Sequence, residues 1–233
     1  MEPAPRTIRS RSPSGLLERP APIWLIVAAA VCALAAAGIP AAEFGPLSEM
    51  MAGHILSMNV LAPLIAVSFA GVLNARAQLL RRGKVLATAG ALQIVVLWSV
   101  HAPAVMAHLS GAAHLLLQAI LFGTALFFWS AVLSQDGRHR WRALLVLLIT
   151  GKLFCLLGVL LVFAPRLLYA PLSHGHDASG VAPMLADQQL AGLIMIIACP
   201  LSYVLAAVLI AAQWLNDISH EEIGPYRTRQ SQQ

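Results

Sequence analysis

EMMAGHILSMNVLAPL, residues 49–64, sets a histidine and three methionines into a stretch otherwise apolar enough to lie in lipid. Residues three and four apart share a helix face, so Met50, Met51, His54 and Met58 are expected to form one stripe. Imidazole and thioether suit a soft metal ion far better than they suit lipid tails. The reach of this helix is limited. At about 1.5 Å of rise per residue, Met50 and Met58 stand about 12 Å apart, so one ion can take at most His54 and a single methionine neighbour. Other segments must complete any site.

The rest of the chain is a setting for such a stretch. Of its 233 residues 59% are hydrophobic and only 11% charged, against about 25% charged in ordinary soluble domains. An all-α, polytopic membrane helix bundle is therefore expected. The net charge of +5 would suggest nucleic acid in a soluble chain, but the basic residues fall in clusters between apolar runs and read as topology signals. No nucleic-acid partner is expected; the partner surface is the lipid bilayer. Cys32, Cys155 and Cys199 all sit inside apolar runs without a CxxC pair, which argues against a disulfide framework or a thiolate clamp.

Six spans are expected. The first, Ile23–Ile39, follows a Pro- and Ser-containing basic segment at 1–22, expected to be disordered and cytoplasmic. Its long basic flank favours a retained span over a cleaved signal peptide. The others lie near Met50–Val72, Val85–Val100, Ala113–Leu133, Ala143–Phe163 and Leu185–Ala212, giving a membrane domain at 23–213 and a cytoplasmic tail at 214–233. Arg76, Arg81, Arg82 and Lys84 mark one cytoplasmic loop, and Arg138, Arg140 and Arg142 another. The loops at 40–49, 102–112 and 164–184 carry only Arg166 between them and face outward. Both termini are then cytoplasmic.

This topology sorts the histidines. His54, His101, His108, His114, His174 and His176 fall on the outer side, and only His139 and His220 on the inner. His54 lies one turn into the second span, His101 ends the third, His114 begins the fourth and Asp187 begins the sixth. Four helices thus bring a potential ligand to one depth. Imidazole with thioether favours copper, Cu(I) in particular, so His54, His101 and His114 with Met50 and Met51 are the expected ligands. Met58 and Met195 read equally well as core filling. Gln118, one turn below His114, is a candidate to orient its ring or to join helices. The His174-Gly-His176-Asp177 tract is at best an accessory metal site. Lys152 sits near mid-membrane, either functional or snorkelling.

Three stretches, MMAGHILSMNVLAPLIAV (50–67), the pair LWSVHAPAVMAHL (97–109) and AAHLLLQAILFGTALFFWSAVL (112–133), and MLADQQLAGLIM (184–195), recur as a set. Together they resemble the CtaG-type membrane proteins associated with cytochrome c oxidase assembly. The resemblance spans about residues 45–215. The first stretch is similar to the family's histidine helix with its Ala-Pro-Leu turn, the second to its His-x-Pro element and the histidine that follows, the third to its Asp-Gln-Gln signature. It implies functional weight on His54, His101, His114, Asp187, Gln188 and Gln189, a bacterial inner-membrane location, and a role in supplying copper to the oxidase.

The expected function is a non-enzymatic assembly factor that binds and passes copper at the outer face, with an oxidase subunit or a copper chaperone as partner. Asp187 would orient a ligand histidine or dock that partner. The alternatives are a bis-histidine haem protein and a copper or small-solute transporter. No nucleophile–base pair, phosphate loop or HExxH motif is present.

Overall fold

The structure is a computed structural model that describes residues 45–73, 77–106, 111–169 and 181–230. These form helices α1 (Pro46–Ile55), α2 (Ala62–Leu73), α3 (Ala77–Leu80), α4 (Gly83–Val100), α5 (Pro103–Met106), α6 (Gly111–Leu133), α7 (Arg140–Phe163) and α8 (Val181–Gln230). A π-helical turn, Leu56–Leu61, joins α1 to α2, and a 3-10 turn, Gly137–His139, leads into α7. Five segments are long and apolar enough to cross a membrane: Pro46–Phe69, Gly83–Val100, Gly111–Leu133, Gly137–Phe163 and Val181–Ile218. They coincide with five of the six expected spans. The expected first span and the segment 1–22 lie outside the described residues. α8 runs on unbroken through the expected tail to Gln230.

The spans bury only part of their surface in the bundle. Large apolar side chains such as Leu115, 71% exposed, and Phe163, 76% exposed, would be untenable on a soluble protein. Here they form the surface that meets lipid. Lys152 is exposed on that outer surface, where its stem can snorkel along the helix.

Packing inside relies on close backbone approach between α7 and α8, the most extensive helix contact. A Cβ at Gly158 would stand 2.9 Å from the Gly192 carbonyl oxygen, and one at Gly192 would stand 2.7 Å from that of Gly158. Small residues serve this purpose where lipid gives helices no hydrophobic reason to associate. The core around the contact contains Phe128, Phe154, Leu147 and Leu161, all buried.

One end of the bundle is basic and tied together by polar contacts. Arg81 pairs with Asp136 at 2.8 Å and Arg140 with Asp217 at 3.0 Å. Gln135 donates to the carbonyls of Leu80 and Ala131, both at 3.1 Å. The opposite end holds His54, His101, Tyr169 and Asp187.

The expected Ala-Pro-Leu turn is not a turn. Pro63 lies within a continuous helical rod, which normally costs a hydrogen bond and creates a clash one turn back. The π-helical turn absorbs it. Ala62 donates to the Ser57 carbonyl, five residues back, so the Met58 carbonyl would next look to the N–H of residue 63, which proline lacks. The indole N–H of Trp129 on α6 fills the gap at 2.9 Å.

Candidate metal centre

α1 delivers Met51 and His54 to the bundle interior, where both are nearly fully buried. Its N-terminus is held from across the fold. Gly45 is extended and supplies no side-chain cap; instead Asp187 of α8 accepts hydrogen bonds from the backbone N–H of Leu47 at 2.9 Å and of Ser48 at 3.1 Å. The Ser48 hydroxyl also donates to this carboxylate. A carboxylate satisfies the orphan N–H groups of the first turn and complements the helix dipole. Asp187 therefore positions the histidine-bearing helix through its backbone, and its carboxylate bonds to no described histidine.

α4 delivers His101. The helix ends at this residue, two positions before Pro103, and the Leu97 carbonyl accepts from both the His101 backbone N–H at 3.1 Å and its ring Nδ1 at 2.7 Å. A carbonyl can only accept, so Nδ1 carries the ring proton and Nε2 presents its lone pair. That lone pair faces the Met51 sulfur at 3.2 Å. From the segment after α7, the Tyr169 hydroxyl donates to the His101 carbonyl at 2.7 Å and so fixes the helix end. Burial pushes the Tyr169 hydroxyl up to about 12.

The two imidazoles meet edge to face with centroids 5.4 Å apart. They border an apolar cavity of about 10 Å³, also lined by Met58, Asn59, Phe154, Met195 and Cys199. That volume is about one water or one ion. His54 Nδ1 and both amide atoms of Asn59 are buried without a hydrogen-bond partner, although buried polar groups are ordinarily paired. Among the described residues no three His, Cys, Asp or Glu side chains converge as a metal site, so any ion here depends on thioether sulfur.

The sequence-expected residues separate into groups. His54, His101 and Met51 come together. His114 is half-buried near the start of α6. Met50 departs from the expected stripe: it faces a separate groove of about 440 Å³ beside Met106, Met184 and Asp187. Adjacent helix positions diverge by about 100°, so Met50 and Met51 cannot both point inward. Gln118 is half-buried and Gln189 exposed. Gln188 is a structural clamp, accepting from the Leu168 N–H at 2.7 Å and donating to the carbonyls of Leu161 and Arg166 at 3.3 and 3.4 Å. His108, His174 and His176 lie outside the described residues.

Sequence reasoning passed over Asn59, Met195 and Cys199 as cavity residues. The signal was present: Ala191, Met195, Cys199 and Tyr203 recur every fourth residue on α8, and all are buried. The edge contact of the rings, with centroids 5.4 Å apart, leaves no room for a haem plane between His54 and His101.

A bundle of long apolar helices that buries two imidazoles and a thioether together defines an integral membrane protein. The helical span pattern agrees with the family resemblance read from the three motifs. The chain belongs to the cytochrome c oxidase caa3 assembly factor family (Caa3_CtaG), whose match runs over residues 6–217. No curated protein and no solved structure matches it. Membership implies a role in cytochrome c oxidase assembly and interaction with the oxidase, and the five long apolar helices mark a membrane protein.

Proposed function

We propose that the chain serves oxidase assembly by binding Cu(I) at the outer, periplasmic face of a bacterial inner membrane and passing it to an oxidase subunit or a copper chaperone. The observation that carries this is the His101 Nε2 lone pair 3.2 Å from the Met51 sulfur, with the His54 ring against it. With metal–nitrogen near 2.0 Å and metal–sulfur near 2.3 Å, donors that far apart subtend roughly 95° at a shared ion. Neutral imidazole and thioether bind Cu(I) without closing its coordination sphere, which suits a carrier that must release its cargo. In this reading His114, near the start of α6, hands the ion in or out.

Transport through the bundle has less support. Its mid-membrane candidate, Lys152, is exposed on the lipid side of α7, whereas a permeation path needs polar groups continued through the interior.

The test is copper content and Cu(I) affinity of the detergent-purified protein, wild type beside His54→Ala and His101→Ala. Near-stoichiometric copper, lost in both variants, is expected. Wild-type affinity no better than that of the variants would overturn the copper reading.

A further inference from the structure

The copper reading leaves part of the cavity unexplained. Beyond the His–Met pair it is walled by Met58, Met195 and Cys199, each at most 3% exposed. Cys199 is a free thiol. In the same cavity Nδ1 of the buried His54 remains unpartnered. Three sulfurs together with an idle polar atom around a one-ion space are unusual in a core that only needs to be filled.

Electrostatics supplies the reason for a thiol in this position. His54, His101 and Met51 are neutral donors, so a copper ion held by them alone keeps its full positive charge in a dry interior. An uncompensated buried charge is costly, and it becomes tolerable once an opposite charge sits beside it. Among the residues lining the cavity, Cys199 is the only one with an acidic proton that a soft cation readily displaces.

The geometry points to a second, inner Cu(I) station formed by the Cys199 thiolate with the thioethers of Met195 and Met58, directly below the His101–Met51 position. Met195 and Cys199 are four residues apart on one face of α8, and Met58 reaches the cavity from the π-helical turn, whose wider winding re-aims side chains. On binding, the S–H bond of Cys199 breaks, an S–Cu bond forms, and the proton leaves to water by way of the unpartnered Nδ1 of His54. One cation enters, one proton departs, and the cavity stays neutral. The metal remains Cu(I) throughout. The cavity holds one ion at a time, and copper reaches Cys199 only by way of the histidine position, so His54→Ala and His101→Ala stay empty while Cys199→Ser keeps the weaker outer site.

This inference rests on the copper reading, and proton counting separates the two. The full-length protein in detergent is titrated anaerobically with tetrakis(acetonitrile)copper(I) in weakly buffered solution. Proton release and competition with a chromophoric Cu(I) chelator are recorded for wild type, Cys199→Ser, Met195→Leu and Cys155→Ser. Wild type and Cys155→Ser are expected to release about one proton per copper bound. Cys199→Ser should release none and bind at least tenfold more weakly. Met195→Leu, which keeps the volume and removes the sulfur, should release the proton but bind three- to tenfold more weakly. Copper bound by wild type without proton release, or wild-type affinity in Cys199→Ser, overturns the inner station and leaves the His101–Met51 site standing. No copper bound by wild type overturns both.

Discussion

Asp187→Ala should destabilise the protein and weaken copper binding together, although Asp187 touches no ligand. Its carboxylate accepts from two backbone N–H groups and one hydroxyl at the start of α1. Loss of an N-cap costs about 0.5–2 kcal/mol, and removal of a negative charge from a partly buried helix N-terminus adds up to about 2 kcal/mol. Hydrogen bonds to a charged group contribute roughly 1.5–3 kcal/mol each, but these describe the same contacts and do not add. Water reaching the outer end recovers part of the loss, so about 2–4 kcal/mol is expected for Asp187→Ala. Asp187→Asn keeps an acceptor and loses the charge, so about half of that is expected. Gly45→Ala should act in the same direction, because a Cβ there would collide with the Asp187 carboxylate. Denaturant or thermal unfolding in micelles, followed by circular dichroism and paired with Cu(I) competition, measures both effects. Equal unfolding midpoints for wild type and Asp187→Ala would refute the capping argument. A fall in stability with unchanged copper affinity would refute the claim that the cap positions His54.

Three further outcomes follow from single contacts. Trp129→Phe keeps the ring and leaves the Met58 carbonyl without its donor, and should cost about 1–3 kcal/mol in the same unfolding assay. Gly158→Ala places a methyl against the Gly192 carbonyl; overpacking of this kind costs about 1–3 kcal/mol, and a thermal midpoint at the wild-type value would contradict the close α7–α8 approach. Tyr169 has its hydroxyl raised from 10.0 to about 12 by burial. The folded state then holds a proton that the unfolded chain has released, so stability is fully present below pH 10 and declines as pH rises toward about 12. Tyr169→Phe should lose that component of the alkaline decline, which pH-dependent unfolding of the two proteins would show.

Membrane character, the positions of five spans, and the gathering of His54 and His101 toward one end were legible in the sequence because each is a one-dimensional property. Hydrophobic runs follow from the cost of unpaired backbone in lipid, and loop charge sets which ends lie together. The choice of Met51 over Met50 was not legible. It depends on the rotation of α1 about its own axis, which is set by packing and by the Asp187 cap, 139 residues from Ser48. The Pro63 turn failed for a related reason, since its missing donor is answered by Trp129, 71 residues from Met58. Cys199 and Met195 looked like ordinary lipid-compatible residues, and only the packing of α8 against α1 and the π-helical turn assigns their sulfurs to the cavity. The sequence by itself determined which segments are long and apolar enough to lie in the membrane. The rotation of each helix, and hence which donors meet, was decided by tertiary contacts, because in lipid an apolar helix is equally content with any face turned outward until a cap, a close glycine contact or a buried polar group selects one.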